Sequence, residues 1–169
     1  MKILNKIGVY RLAFYILLLA ALYIEASYFG IFGIEPCFVL PCIICGAFYL
    51  NEKEIIAVSL IAGIILDLQT LYTGLNAIVF TLVITALVFL INSYLNRNVV
   101  TFAIVSFGII FTVIMISAIF YLFIAQKANF FEAFFGSLLP KTVFSLIVAM
   151  IFYGIFNQLG RFTAKNKRK

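Results

Sequence analysis

Residues 55–95 read IIAVSLIAGIILDLQTLYTGLNAIVFTLVITALVFLINSYL. Two long apolar runs in this stretch flank a turn signal at Thr73 and Gly74, and the acidic residue Asp67 lies near the end of the first run. A helix that crosses the hydrocarbon core of a bilayer, which is ~30 Å thick, needs about 20 apolar residues. Each run approaches that length, so the stretch predicts two membrane-spanning helices joined by a tight turn.

The rest of the chain has the same apolar character. Of its 169 residues, 66% are hydrophobic and only 11% are charged, whereas a soluble domain has about 25% charged residues. We therefore expect an all-α polytopic membrane protein with a single integral membrane domain over residues 1–169. The expected architecture is a six-transmembrane-helix bundle with spans at about 10–29, 36–50, 55–72, 75–95, 99–124 and 137–156.

The second predicted span, residues 36–50, is the weakest. Fifteen residues rise only ~22 Å in a helix, and a proline inside a helix removes a backbone hydrogen bond. Because Pro41 lies in this run, we expect a short and kinked helix. The run also contains Cys37, Cys42 and Cys45, which lack a fourth ligand in a chain without histidine. This favours packing residues over a metal site.

The basic residues predict how the bundle is oriented. Cytoplasmic loops of membrane proteins carry an excess of lysine and arginine. Six spans with both termini cytoplasmic place ten basic residues inside and two outside, whereas five spans would export one basic end. The inner ten are Lys2, Lys6, Arg11, Lys53, Arg97, Arg161, Lys165, Lys167, Arg168 and Lys169, and the outer two are Lys127 and Lys141. The net charge of +6 therefore indicates basic residues that orient the spans and contact anionic lipid, and does not indicate nucleic-acid binding.

Asp67 is the most informative polar residue, because an acid within a membrane span is costly and usually faces protein or water. Gly63 lies one turn earlier on the same helix face and would allow another helix to approach closely. Two interpretations remain open. Asp67 could cap the fourth helix near Gly74 and Asn76, which is a structural role, or it could form a polar site for a ligand or partner.

Two further features are possible interface positions. Glu25, late in the first span, is either solvated near the membrane surface or part of a buried pair, with Lys141 as a possible partner. Four aromatic residues recur at helical spacing before the last span, and they predict either an amphipathic interfacial helix or a docking surface for a membrane-anchored partner. These are Phe130, Phe131, Phe134 and Phe135.

The sequence lacks the usual signs of catalysis. Without histidine, Ser-His and Cys-His nucleophile pairs cannot form, and no phosphate-binding loop or dinucleotide fingerprint is present. Glu25 is the only other acid placed within a predicted span that could act with Asp67. We therefore expect a protein that is not an enzyme and that binds no cofactor or metal.

A spaced pattern now suggests a family. Residues 63–67, GIILD, are followed after six residues by residues 74–77, GLNA. This G-x-x-x-D-x6-G-L-x-A pattern at the end of the third span resembles the signature of the MreD family of rod shape-determining proteins. Pro36 at the start of the second span and the short charged loop before the motif also match that family, and the layout matches over essentially the whole chain.

The resemblance implies a role and partners. The family is a non-enzymatic scaffold of the bacterial cell-elongation complex in the inner membrane, where it helps to position peptidoglycan synthesis. Its expected partners are MreC above all, and MreB, RodA and the elongation-specific penicillin-binding protein in the same complex. The family fold is similar to the S-components of energy-coupling factor transporters. The alternative function is therefore a vitamin-binding S-component, in which Asp67 would line an outward-facing pocket.

Overall fold

The computed structural model describes residues 2–27, 37–69, 74–93, 98–125, 136 and 138–165. Within these ranges the chain forms six helices and no strand. They are α1 (Lys2–Ala26), α2 (Val39–Tyr49), α3 (Glu52–Gln69), α4 (Leu75–Ser93), α5 (Val99–Ala125) and α6 (Leu139–Lys165).

Among the described residues, three helices are long and apolar enough to cross a membrane. They contain the stretches Leu75–Ser93, Val99–Ile116 and Leu139–Leu159. Large apolar side chains on the outside of the bundle are exposed, among them Leu19, Leu68 and Ile104, and Leu68 is 80% exposed. Such an apolar exterior is typical of helices that face lipid, so these helices indicate a membrane protein.

Helix α2 lies at the centre of the bundle. Its residues from Val39 to Phe48 are all buried, and it packs against each of the other five helices. It has only 11 residues, which corresponds to a rise of ~16 Å. A helix surrounded by protein on all sides needs no polar face, which explains its nearly unbroken apolar sequence.

Pro41 has a different effect from the one expected. Because α2 begins at Val39, Pro41 is in the first turn, where a backbone N–H would have no partner within the helix. The next residue, Cys42, donates its N–H to the carbonyl of Phe38 at 3.3 Å. Pro41 therefore removes no hydrogen bond from α2, and the reason for expecting a kink in this helix was wrong.

One end of the bundle, called here the ion-pair end, joins α1 to α3. Glu54 accepts a hydrogen bond from the Tyr15 hydroxyl at 2.9 Å and forms an ion pair with Arg11 at 2.8 Å. On the far side of α3, the Asn92 amide donates to Glu52 at 2.7 Å. These contacts fix how far α1, α3 and α4 slide past one another.

An aromatic cluster fills the ion-pair end. Tyr49 stacks on Tyr10 and Phe156, with ring centroids 5.8 and 5.3 Å apart. Phe102 stacks on Tyr153 at 4.4 Å. Tyrosine combines an apolar ring with a polar hydroxyl, which suits the membrane–water interface. The six rings of the cluster are Tyr10, Phe48, Tyr49, Phe102, Tyr153 and Phe156.

Candidate functional site

The residues of the sequence motif meet at the opposite end, called here the capped end. Asp67, in the last turn of α3, is only 5% exposed. Its Oδ1 accepts the N–H of Asn76 and its Oδ2 accepts the N–H of Ala77, both at 2.9 Å. These N–H groups belong to the first turn of α4 and have no partner within that helix. The geometry is that of the capping interpretation.

The cap is favourable for two physical reasons. A carboxylate at a helix N-terminus interacts well with the positive end of the helix dipole, and a charged acceptor strengthens each hydrogen bond. Asp67 therefore stays in a buried position without a cation among the described residues, since its charge is met by backbone N–H groups of α4.

Gly63 brings α3 and α4 into direct backbone contact. A Cβ atom built at Gly63 would lie 2.5 Å from the Cα of Ala77, 2.7 Å from its nitrogen and 2.9 Å from the carbonyl carbon of Asn76. No side chain fits between these backbones. One turn earlier Ser59, also fully buried, turns its hydroxyl back to the Ile56 carbonyl at 2.8 Å. The small residues thus set the helix separation that Asp67 needs in order to reach α4.

Gly74 has a separate reason to be glycine. Its φ angle of +95° is the only positive value recorded in the described part of the chain, and side-chain-bearing residues rarely adopt it. It immediately precedes α4 and accepts the N–H of Ile78 at 3.1 Å. Gly63, Asp67, Gly74 and Asn76 therefore act together in one tight α3–α4 joint.

Glu25 forms a second joint of the same kind, between α1 and α2. Its Oε2 accepts the N–H of Phe38 and the N–H of Val39, both at 2.9 Å, and the Cys37 thiol lies 3.5 Å from its Oε1. Neither expected arrangement describes this geometry fully, because the main partners of Glu25 are backbone N–H groups. Lys141 is near enough to interact with Glu25 electrostatically.

Side chains of α1 and α6 accept backbone N–H groups at the start of α2. Cys37 donates its N–H to the Ser145 hydroxyl of α6 at 2.9 Å, and Phe38 and Val39 donate theirs to Glu25. Pro41 has none. A buried helix end needs such partners for its N–H groups. Cys37 is buried in the hydrophobic core, as its predicted packing role requires, and its thiol also lies within hydrogen-bonding distance of Glu25.

Some predicted site residues lie outside the described part of the chain. These are Pro36, Phe130, Phe131, Phe134 and Phe135. Conversely, sequence reasoning missed Ser145. Its position one turn after Lys141 on α6 was a weak signal, because residues four apart share a helix face, but nothing in the sequence indicates that this face meets the start of α2.

The capped end positions helices rather than exposing reactive groups. Both acids are engaged with backbone N–H groups, and no group of three or more potential metal ligands occurs among the described residues. The arrangement suits rigid association between helices. Comparison of this chain with protein-family models, with curated proteins and with solved structures gives no match.

Proposed function

We propose that this protein is a non-enzymatic scaffold of the bacterial cell-elongation complex in the inner membrane. It would contribute to rod shape by positioning peptidoglycan synthesis together with MreC, and with MreB, RodA and the elongation-specific penicillin-binding protein. The proposal rests on the resemblance of residues 63–77 to the MreD signature, and on what those residues do in the fold.

The observation that carries the proposal is the α3–α4 joint. Each motif residue in the described range serves the packing of these two helices. Gly63 permits backbone contact, Asp67 caps α4, and Gly74 takes the positive φ angle before that helix. A motif used in this way preserves a helix-packing geometry. Maintaining a fixed membrane surface for partners is the role of a scaffold.

The membrane arrangement in this proposal has six spans and two cytoplasmic termini. The ion-pair end, with Arg11, would face the cytoplasm and the capped end the outside, in keeping with the excess of basic residues near the chain ends. The short α2 would complete the six-helix bundle inside the protein instead of contacting lipid. A buried helix need not match the bilayer thickness as a lipid-facing helix must.

A vitamin-binding S-component remains the alternative proposal. It assigns Asp67 to a pocket, whereas the Asp67 carboxylate is buried and already accepts two backbone hydrogen bonds. This engagement supports the scaffold. Equilibrium dialysis of the purified protein against labelled vitamins separates the two proposals: tight binding of any vitamin would favour the S-component, and no binding favours the scaffold.

Complementation in a rod-shaped bacterium tests the scaffold proposal. The cells lack their own copy of this protein and receive wild type, Gly63→Ala or Gly108→Ala. Gly63 is in backbone contact with α4, whereas a Cβ at Gly108 on α5 meets nothing within 4 Å. We expect rounded cells without the protein and with Gly63→Ala, and rods with Gly108→Ala at equal membrane levels. Rod-shaped cells in the complete absence of the protein would contradict the proposal.

A further inference from the structure

We propose that residues 21–25, ALYIE, are a second copy of the motif at residues 63–67, GIILD, and that Glu25 is the positioning residue for α2. The proposal concerns the fold of the bundle and goes beyond the scaffold role. It makes the bundle two capped helix pairs, α1–α2 and α3–α4. The sequence pattern reveals only the second pair.

The contacts of the two acids correspond. Each acid lies in the last turn of its helix, and each accepts two successive backbone N–H groups at 2.9 Å from the start of the next helix. Each also has a small residue four positions earlier, Ala21 before Glu25 and Gly63 before Asp67, and both small residues are buried. Residues four apart share a helix face, so each small residue lies beside its acid.

The two acids also lie at the same height in the bundle. Glu54 contacts both Arg11 and Tyr15, which sets the register of α1 against α3. Glu25 is 14 residues beyond Arg11 and 10 beyond Tyr15, and Asp67 is 13 beyond Glu54. At about 1.5 Å per residue these intervals are ~15–21 Å and ~20 Å. The two caps therefore form one polar layer at the capped end.

More helices meet at the Glu25 cap than at the Asp67 cap. Glu25 reaches from α1 to α2, while Ser145 of α6 accepts the adjoining N–H of Cys37. Three helices thus meet at the start of α2, whereas the recorded contacts of Asp67 join α3 to α4. The longer separation, 13 and 14 residues for Glu25 against 9 and 10 for Asp67, hides the likeness in the sequence.

Thiol labelling at two reporters tests the proposal in the full chain, purified in detergent. The first reporter is the native Cys42, a buried position of α2, with Cys37 and Cys45 replaced by alanine. The second is Val79→Cys, a buried position of α4, with all three native cysteines replaced by alanine. Each reporter protein carries Glu25→Ala, Asp67→Ala or neither. The rate at which a maleimide reagent labels the thiol measures how often the start of that helix opens.

We expect Glu25→Ala to speed labelling of Cys42 by about tenfold and to leave the Val79→Cys reporter within about twofold of its starting rate. Asp67→Ala should do the reverse. General loosening of the bundle would instead speed both reporters together. Equal effects of Glu25→Ala on the two reporters, or no effect on Cys42, would overturn the proposal.

The conservative variants Glu25→Gln and Asp67→Asn cover the case in which an alanine variant does not fold. Each keeps one oxygen that accepts an N–H group, so each should open only its own helix start, and less than alanine does. Loss of this helix selectivity in both variants would likewise overturn the proposal. The assay contains no partner protein, so its outcome is independent of the scaffold proposal.

Discussion

At the scale of single residues, the capped end depends on two kinds of position. Gly63 and Gly74 are set by backbone geometry, since one touches the Ala77 backbone and the other has a φ angle of +95°. Asp67 and Glu25 are required because each accepts backbone N–H groups at a helix start that have no partner within the helix. The sequence predicted capping by Asp67 as one of two alternatives. It could not predict the role of Glu25, because the helix that Glu25 caps begins 14 residues later.

Replacing Gly63 by alanine should weaken the fold. The new Cβ would meet the Ala77 backbone at 2.5 Å, and a backbone cannot move aside as a flexible side chain can, so α3 and α4 must separate. We expect a loss of about 1–3 kcal/mol in the free energy of unfolding, typical of overpacking, measured by denaturant unfolding in mild detergent. Gly108→Ala is the matched control and should be neutral. Equal stability of the two variants would contradict this packing.

Replacing Asp67 by alanine should cost about 1–2 kcal/mol, the range for loss of a helix cap. Asp67→Asn should cost less, because the amide oxygen still accepts one N–H group. The same unfolding measurement ranks the three proteins as wild type, then Asp67→Asn, then Asp67→Ala. An alanine variant as stable as wild type would mean that the two 2.9 Å hydrogen bonds contribute nothing.

At the scale of helices, α2 differs most from its sequence-based description. Hydropathy and length predicted a short apolar helix near residues 36–50, and the helix is Val39–Tyr49. The proline misled because its effect depends on where the helix begins, and that start depends on Glu25 and Ser145 from other helices. Tertiary partners therefore decide a boundary that local sequence cannot.

A substitution at Gly46 tests how closely α1 and α3 pack against α2. A Cβ there would lie 2.5 Å from the Phe14 ring and 2.7 Å from the Ile55 side chain. Gly46→Ala should therefore destabilise by about 1–3 kcal/mol. Because the main obstacle is a side chain, Phe14→Leu should partly relieve the strain. In a double-mutant cycle, the double variant should be more stable than the sum of the single effects predicts, and strict additivity would contradict the contact.

At the scale of the whole molecule, hydropathy was sufficient to predict an all-helical protein. The described residues form helices and no strand, and three of these helices are long and apolar enough to cross a membrane. Which helix occupies the centre was not predicted, because hydropathy does not distinguish a helix that faces lipid from one that is buried in protein. The buried α2 is distinguished by its neighbours.

The orientation of the bundle is a prediction for intact cells. Two exposed positions can each be replaced by a single cysteine. Ser27 lies beyond the capped end of α1, and Asn98 lies at the start of α5. A membrane-impermeant thiol reagent should label Ser27→Cys in whole cells and should label Asn98→Cys only after permeabilisation, because basic residues favour a cytoplasmic ion-pair end. The reverse pattern would show the opposite orientation. Labelling of both in whole cells would contradict the six-span arrangement.

The most direct measurement of the scaffold proposal is quantitative co-purification of the tagged protein from native membranes of a rod-shaped bacterium. Wild type should recover MreC as a major partner, together with other proteins of the elongation complex. Gly108→Ala should recover as much, and Gly63→Ala, at equal membrane levels, should recover several-fold less, because its α3–α4 joint is disturbed. Recovery of no elongation protein by wild type would contradict the proposed function.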